Sequence, residues 1–292
     1  MGFRVEMNDA VGDVSYEYDA VGNATKVVHH NGETVRYSYD VFGRLSEIMY
    51  PDGYCTNYEY DLCDRLVKVT GRDSGVTTYE YDANGNVLLC DRSNGTYTTY
   101  TYNARNELTM LENRRDSGAL LSSYAYEYDR NGFITKETEK VDSYTYVREY
   151  TYDAVGQLVG YTESTNGKTT ATYSYTYDNA GNRVGMVYYD ASNTKYWTNY
   201  VYNENNELIS ETYNYNKNKK KVISTETTYT YDTDGNLITK DADGDIWQYL
   251  WTSESRLEAV VNGGTLLMAA TYDGANNRIF QISDASSSSK VH

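Results

Sequence analysis

Nine aspartates stand at a recurring place in the sequence: Asp19, Asp40, Asp61, Asp82, Asp129, Asp153, Asp178, Asp232 and Asp273. Carboxylates do general acid–base work and hold hard cations, so this array is the first candidate for chemistry. An active site needs one geometry. Nine equivalent copies, with Asn103, Asn203 and Thr252 at three further places, point instead to turn capping, in which the carboxylate accepts N–H bonds from the residues that follow. Asp232-Thr233-Asp234-Gly235-Asn236 and Asp241-Ala242-Asp243-Gly244-Asp245 resemble the start of a calcium loop. An EF-hand needs Gly at its sixth position and Glu at its twelfth. Here those places hold Leu237 or Ile246, and Asp243 or Thr252. The ordinary reading is a turn, with a weak surface Ca²⁺ site at Asp241, Asp243 and Asp245 as the alternative. His29 and His30 are adjacent and expected on a strand, where they point to opposite faces and cannot share a metal. Three histidines in all, one of them His292, supply no nucleophile–His–acid set. Cys55, Cys63 and Cys90 have neither a disulfide-framework nor a zinc-knuckle spacing. No catalytic residue, metal ligand or cofactor is predicted, and the chain is read as non-enzymatic. Trp197 and Trp247 are the candidates for stacking on a glycan, against the plainer reading that they pack on the sheet.

The elements that carry these residues repeat. The stretch Tyr16-Glu17-Tyr18-Asp19-Ala20-Val21-Gly22-Asn23 returns as Tyr37 to Leu45 and as Tyr79 to Val87. Its second aromatic falls at Tyr18, Tyr39, Tyr60, Tyr81, Tyr102, Tyr128, Tyr152, Tyr177, Tyr202, Tyr231, Trp251 and Tyr272. Twelve copies spaced by 20 to 29 residues define a repeat architecture over 16–281, with a partial leading repeat in 1–15 and a Ser-rich tail, expected disordered, in 282–292. Before each Asp the residues alternate with period two, as in a strand. The column three places after it reads Gly22, Gly43, Asp64, Gly85, Asn106, Gly132, Gly156, Gly181, Asn206, Gly235, Ser255 and Asn276. Eleven of the twelve are Gly, Asn or Asp, which tolerate positive φ, so the chain reverses there. Asn31-Gly32, Asp52-Gly53, Asn94-Gly95 and Asn166-Gly167 mark a second turn. The expectation is all-β: tandem hairpins with strands of about 5–7 residues in one long, curved antiparallel sheet. The length excursions are expected as variable loops at the second turn, and the uniform edge carries Tyr18-Asp19-Gly22, Tyr39-Asp40-Gly43, Tyr81-Asp82-Gly85, Tyr152-Asp153-Gly156, Tyr177-Asp178-Gly181 and Tyr231-Asp232-Gly235.

Composition bounds the function. The 292 residues include 35 Tyr against 4 Phe, so the apolar area comes mostly from a ring with a polar tip. That suits a one-layer wall rather than a thick aliphatic core. A net charge of −16 argues against a nucleic-acid partner. No run of about 18 apolar residues is present to span a bilayer as a helix. The start carries no secretory leader and falls in mid-pattern, as a fragment would.

The Tyr-x-Tyr-Asp-x-x-Gly-Asn/Arg-Leu unit resembles the YD repeat, also called the RHS repeat, from Tyr16 to about Ile279. That family includes bacterial polymorphic toxins, wall-associated proteins, the encapsulating subunits of insecticidal toxin complexes and the teneurins. The resemblance implies a ribbon of strands that spirals into a hollow shell, secreted or at the bacterial cell surface, with a C-terminal toxin or effector passenger enclosed. Two family features are missing: a Pro-containing core motif, since the only proline is Pro51, and an effector domain after the repeats. The alternative is an extracellular adhesion module for a glycan or protein. Unpaired edge strands predict self-association or an edge covered by the tail.

Overall fold

The computed structural model describes residues 3–9, 12–71, 73–217, 221–273, 277–283 and 290–291. Among them are twenty-six strands and no helix, and so no helix long and apolar enough to cross a membrane. The all-β, tandem-hairpin expectation holds. The chain divides into two compact units, Met1–Thr145 and Tyr146–His292. In the first, every strand from Gly12–Tyr18 to Leu120–Tyr128 pairs antiparallel with the strand before it and the strand after it. The second unit follows the same meander from Tyr144–Tyr152 to Arg278–Ser283.

Alternation sets the two faces of each strand. In Cys55–Tyr60, Tyr58 and Tyr60 are half-buried and Glu59 between them is exposed. The exposed face carries cross-strand ion pairs, Lys26 with Glu17 at 2.6 Å and Lys68 with Glu59 at 2.7 Å, each of small worth in water. Few of the described side chains are buried: Val14, Cys90, Ala171, Ala259 and Ala270 among the apolar ones, and Thr98, Ser123, Thr198, Asn214, Thr227 and Asp273 among the polar ones. Ladders and half-buried rings hold each unit, not an aliphatic core.

Each repeat turns at its aspartate by one geometry. Asp19 N donates to Asn23 O at 2.9 Å and Gly22 N to Asp19 O at 3.2 Å. The register then skips Thr25, so that Tyr18 opposes Ala24. This is a three-residue loop with its last residue left-handed, followed by a bulge. The second turn often reuses the loop, as in His29–Glu33 and Tyr50–Tyr54. His29 and His30 therefore lie in a turn and not on a strand, because Gly32 N closes back on His29 O.

The length excursions differ from the expectation. Extra residues lengthen strands: Lys168–Tyr177 and Leu208–Lys217 have ten residues and Lys221–Tyr231 has eleven. Tight hairpins then close several of them. Thr165 pairs with Lys168 across Asn166 (φ 49°) and Gly167 (φ 77°), and Ala242 pairs with Asp245 across Asp243 and Gly244. The cause is that Thr/Tyr alternation continues to the turn, so the added residues find ladder partners. Of the long basic loop, residues 218–220 lie outside the described residues, as do 284–289 and 292 of the tail. Lys290–Val291 pairs antiparallel with Ile282 and Ser283.

Candidate functional site: the turn edge and the tyrosine face

The aspartates cap their own turns. Oδ1 of Asp19 accepts the N–H groups of Val21, Gly22 and Asn23 at 2.8–3.0 Å. Asp40, Asp61, Asp82, Asp129, Asp153, Asp178 and Asp232 each accept from the second and fourth residues after them. The Asn23 backbone N–H holds the Asp19 carboxyl below its ordinary range, and the Asn side-chain amide does the same for Asp82, Asp178 and Asp232. Gly22, Gly43, Gly85, Gly132, Gly156, Gly181 and Gly235 have φ between 81° and 100°.

In five repeats the residue four places after the Asp joins one repeat to the next. Arg44 donates from Nε to Asp40 Oδ2 (2.7 Å) and from Nη1 to the next turn, at Asp61 O (3.0 Å) and Asp64 Oδ1 (2.6 Å). Arg65 repeats this toward Asp61 and Asp82 O. Asn86, Asn182 and Asn236 reach Asn106 Oδ1, Asn206 Oδ1 and Ser255 Oγ. These contacts account for the non-glycine turn residues. Asp64, Asn106, Asn206 and Ser255 hold φ of 58–61°, and each accepts a hydrogen bond from the repeat before.

Where the aspartate is replaced, the polarity of the pair inverts. Asn103 Nδ2 donates to Glu107 Oε2 at 2.6 Å, and Asn203 Nδ2 to Glu207 Oε2 at 2.5 Å. An Asn103→Asp change sets two carboxylates against each other and should cost roughly 1–2 kcal/mol. Adding Glu107→Asn should recover all but about 0.5 kcal/mol, by urea denaturation of the three variants. A double variant no better than the single one contradicts the inverted pairing. Thr252 breaks the pattern differently. Arg256 occupies the Arg44 position and donates to Asp273 O, but its buried Nε has no hydrogen-bond partner among the described residues. Thr252→Asp restores the carboxylate and should add about 1 kcal/mol of stability; a loss of stability contradicts this account.

The second aromatic of the repeat is a latch. Tyr39 donates its hydroxyl to Ala24 O, Tyr60 to Leu45 O and Tyr81 to Leu66 O, at 2.6–2.9 Å. Tyr128, Tyr177, Tyr202, Tyr231 and Tyr272 do the same to Leu108, Leu158, Arg183, Leu208 and Leu257, and Tyr18 reaches Arg4 O. The acceptor is the first residue of the return strand one repeat back, apart from Arg4, which precedes the first turn. Trp251 keeps the bond with its indole Nε1–H, to Leu237 O at 2.8 Å. Tyr152 sits at the same place, opposite Leu158. Sequence reasoning missed this hydroxyl bond; the signal was a column of eleven Tyr and one Trp with no Phe.

Trp197 is half-buried, with Lys195 5.1 Å from its ring, and it alternates with Tyr196 and Thr198. Trp247 shares the parity of Trp251, on the face of the latch. The register carries the two tryptophans to opposite faces of the second unit, so they form no common platform. Asp241 Oδ1 accepts Gly244 N, and Asp245 accepts Trp247 Nε1 and Asn262 Nδ2. No group of three or more His, Cys, Asp or Glu side chains among the described residues is placed to hold a metal ion. Cys90 is buried, Cys55 half-buried and Cys63 exposed at a turn.

Residues 52–225, more than half of the chain, match the model of the teneurin YD-shell. The chain belongs to the teneurin YD-shell family. Residues 18–54 also match the RHS repeat. No curated protein matches it. Among solved structures, the YD-shell chain is similar to the Photorhabdus luminescens Tc holotoxin pore with the TccC3-D651A mutation, at 16% identity and a TM-score of 0.42 over 96% of this chain and 19% of that one. It is similar to TcdB2-TccC3 at 16% identity and 0.42, over 97% of this chain and 17% of that one. A porin-like protein from Bacteroides uniformis gives 16% identity and 0.31, over 77% and 94%. The chain thus spans less than a fifth of the length of the two toxin chains.

Proposed function

We propose that this chain is wall: a segment of a YD-repeat shell, secreted or exposed on a bacterial cell, that encloses a C-terminal toxin or effector passenger of its parent protein. The observation that carries this reading is the repeat-to-repeat latch, joined with the turn ladder. Both extend a sheet one hairpin at a time without a core, which is what a wall of any length requires. The tyrosine face would line the enclosed space, where rings with polar tips hold a passenger without a tight apolar grip. A structural role agrees with the family, and the acidic charge disfavours nucleic acid.

Limited proteolysis of the parent protein tests it. The passenger should resist digestion until the repeats are opened by urea. A passenger cut as fast in the parent as in isolation contradicts enclosure. A glycan-binding module, the other reading, predicts instead a glycan-array signal lost on Trp197→Ala or Trp247→Ala. Strand Glu6–Asp9 pairs with Gly12–Tyr18 alone among the described residues. We therefore expect this chain to self-associate through that edge, and a strictly monomeric sedimentation profile contradicts it.

A further inference from the structure

Six tyrosines on six consecutive strands of the second unit face one another. Tyr150 lies directly opposite Tyr161, Tyr161 opposite Tyr173, Tyr173 opposite Tyr188, Tyr188 opposite Tyr196, and Tyr196 opposite Tyr215. Their ring centroids are 5.7, 4.4, 4.7, 5.3 and 6.2 Å apart in that order. Tyr213, 40% exposed, stacks 6.4 Å from Tyr196 and brings the column to solvent. The tightest pair is Tyr161 with Tyr173, at 4.4 Å and within 9° of parallel. The two residues are direct cross-strand partners, so their near-parallel rings lie face to face along the same direction out of the sheet. Stability alone does not require this: cross-strand aromatic pairs contribute modestly, and aromatic with β-branched pairs serve as well.

We propose that the column is an oxidative cross-linking site, in which one-electron oxidation joins Tyr161 to Tyr173 as dityrosine. The co-reactant is hydrogen peroxide, activated to one-electron oxidants by a haem or metal complex small enough to reach a face that would line an enclosed space. Each phenol loses its O–H electron and proton to become a phenoxyl radical. The two radicals couple through a ring carbon next to each oxygen, forming one C–C bond. The C–H bonds at those carbons then break, and their protons move to the two oxygens, restoring both rings. In sum two phenols give one dityrosine with loss of two protons and two electrons, which reduce one peroxide to two waters. The exposed Tyr213 is where the oxidant takes the first electron, and the stacked rings of Tyr196 and Tyr188 pass the radical inward. The product closes the hairpin of Leu158–Thr165 and Lys168–Tyr177 covalently, and it restricts the unfolded chain as a disulfide does.

The test uses the full chain and photo-oxidised tris(bipyridyl)ruthenium with persulfate at low conversion. The folded chain should develop dityrosine fluorescence. Its main intrachain cross-linked peptide should join Tyr161 to Tyr173 and be two hydrogens lighter than the sum of its parts. The same treatment in urea should give no preference for that pair. Tyr173→Phe keeps the stacked ring and should abolish this peptide without shifting its yield to distant tyrosines. Tyr213→Phe should slow its formation. Cross-links spread over the exposed tyrosines, or the Tyr161–Tyr173 peptide equally abundant in urea, would overturn the proposal. An unchanged rate in the Tyr213→Phe chain would overturn the route of entry.

Discussion

Tyr81→Phe should destabilise the chain by about 1 kcal/mol and Tyr81→Ala by about 3 kcal/mol. The two numbers separate what the ring does from what its hydroxyl does. The hydroxyl donates to Leu66 O at 2.6 Å, and Phe leaves that part-buried carbonyl without this donor. The ring is half-buried and carries the Arg65 guanidinium 4.8 Å from its centroid. Ala removes the ring, the hydroxyl and the cation–π contact, the last worth about 0.5–1 kcal/mol. Arg65 also donates to Asp82 O, so truncation loosens the anchor between two successive turns. Urea denaturation of the three chains gives both values, and hydrogen exchange should place the loss at the strands around Leu66 and Tyr81. A Phe variant as stable as the parent removes the latch from the account. A Phe variant worse than Ala refutes the ring's larger share. Trp251→Phe should cost more than Tyr81→Phe, since it loses the indole donor and part of the ring as well.

The chain should also unfold cooperatively in alkali, at a pH above tyrosine's ordinary 10. Burial pushes the phenols of Tyr39, Tyr58, Tyr79, Tyr81, Tyr126, Tyr175 and Tyr231 upward. Burial does so most for Tyr161 and Tyr229, reinforced by hydrogen bonds with Tyr173 and Glu211. The sign follows from linkage. A phenol that ionises more readily unfolded than folded contributes stability present in full below pH 10 and lost as pH rises toward its folded value. Many such groups act on one sheet, so the losses sum and the transition is steep. The turn carboxylates of Asp19, Asp61, Asp82, Asp178 and Asp232 are shifted the other way, below their ordinary 3.8. Their contribution is present above pH 3.8 and lost as pH falls through the folded values. Circular dichroism and tyrosinate absorbance should therefore change together at the alkaline end. Tyrosinate absorbance that saturates at pH 10 with the sheet intact contradicts this.

Much of the fold was legible because the repeat is local. The Tyr-x-Tyr alternation, the Asp and the residue three places on lie within one hairpin, and residue type alone restricts φ there. What was not legible lies across repeats. The Tyr81 hydroxyl meets a carbonyl 15 residues earlier, and Arg44 meets Asp64 20 residues later. Such bonds show in a sequence only as correlated columns: no Phe among the latches, Glu107 and Glu207 wherever the aspartate is Asn, and non-glycine turns after a donor. Strand length was misjudged for a related reason. The length excursions, with Asn214 to Asn216 among them, were expected as loops, but a strand grows whenever its neighbour offers a ladder. His29 and His30 were misplaced because the turn starts two residues before Asn31-Gly32.

The proposed wall turns its tyrosine face onto an enclosed passenger. A density map of the parent protein tests it most directly. The face carrying Tyr150, Tyr173 and Tyr196 should turn inward, toward density that the repeats do not explain. The same rings turned outward, with the Glu149 side of the strand facing that density, would contradict it.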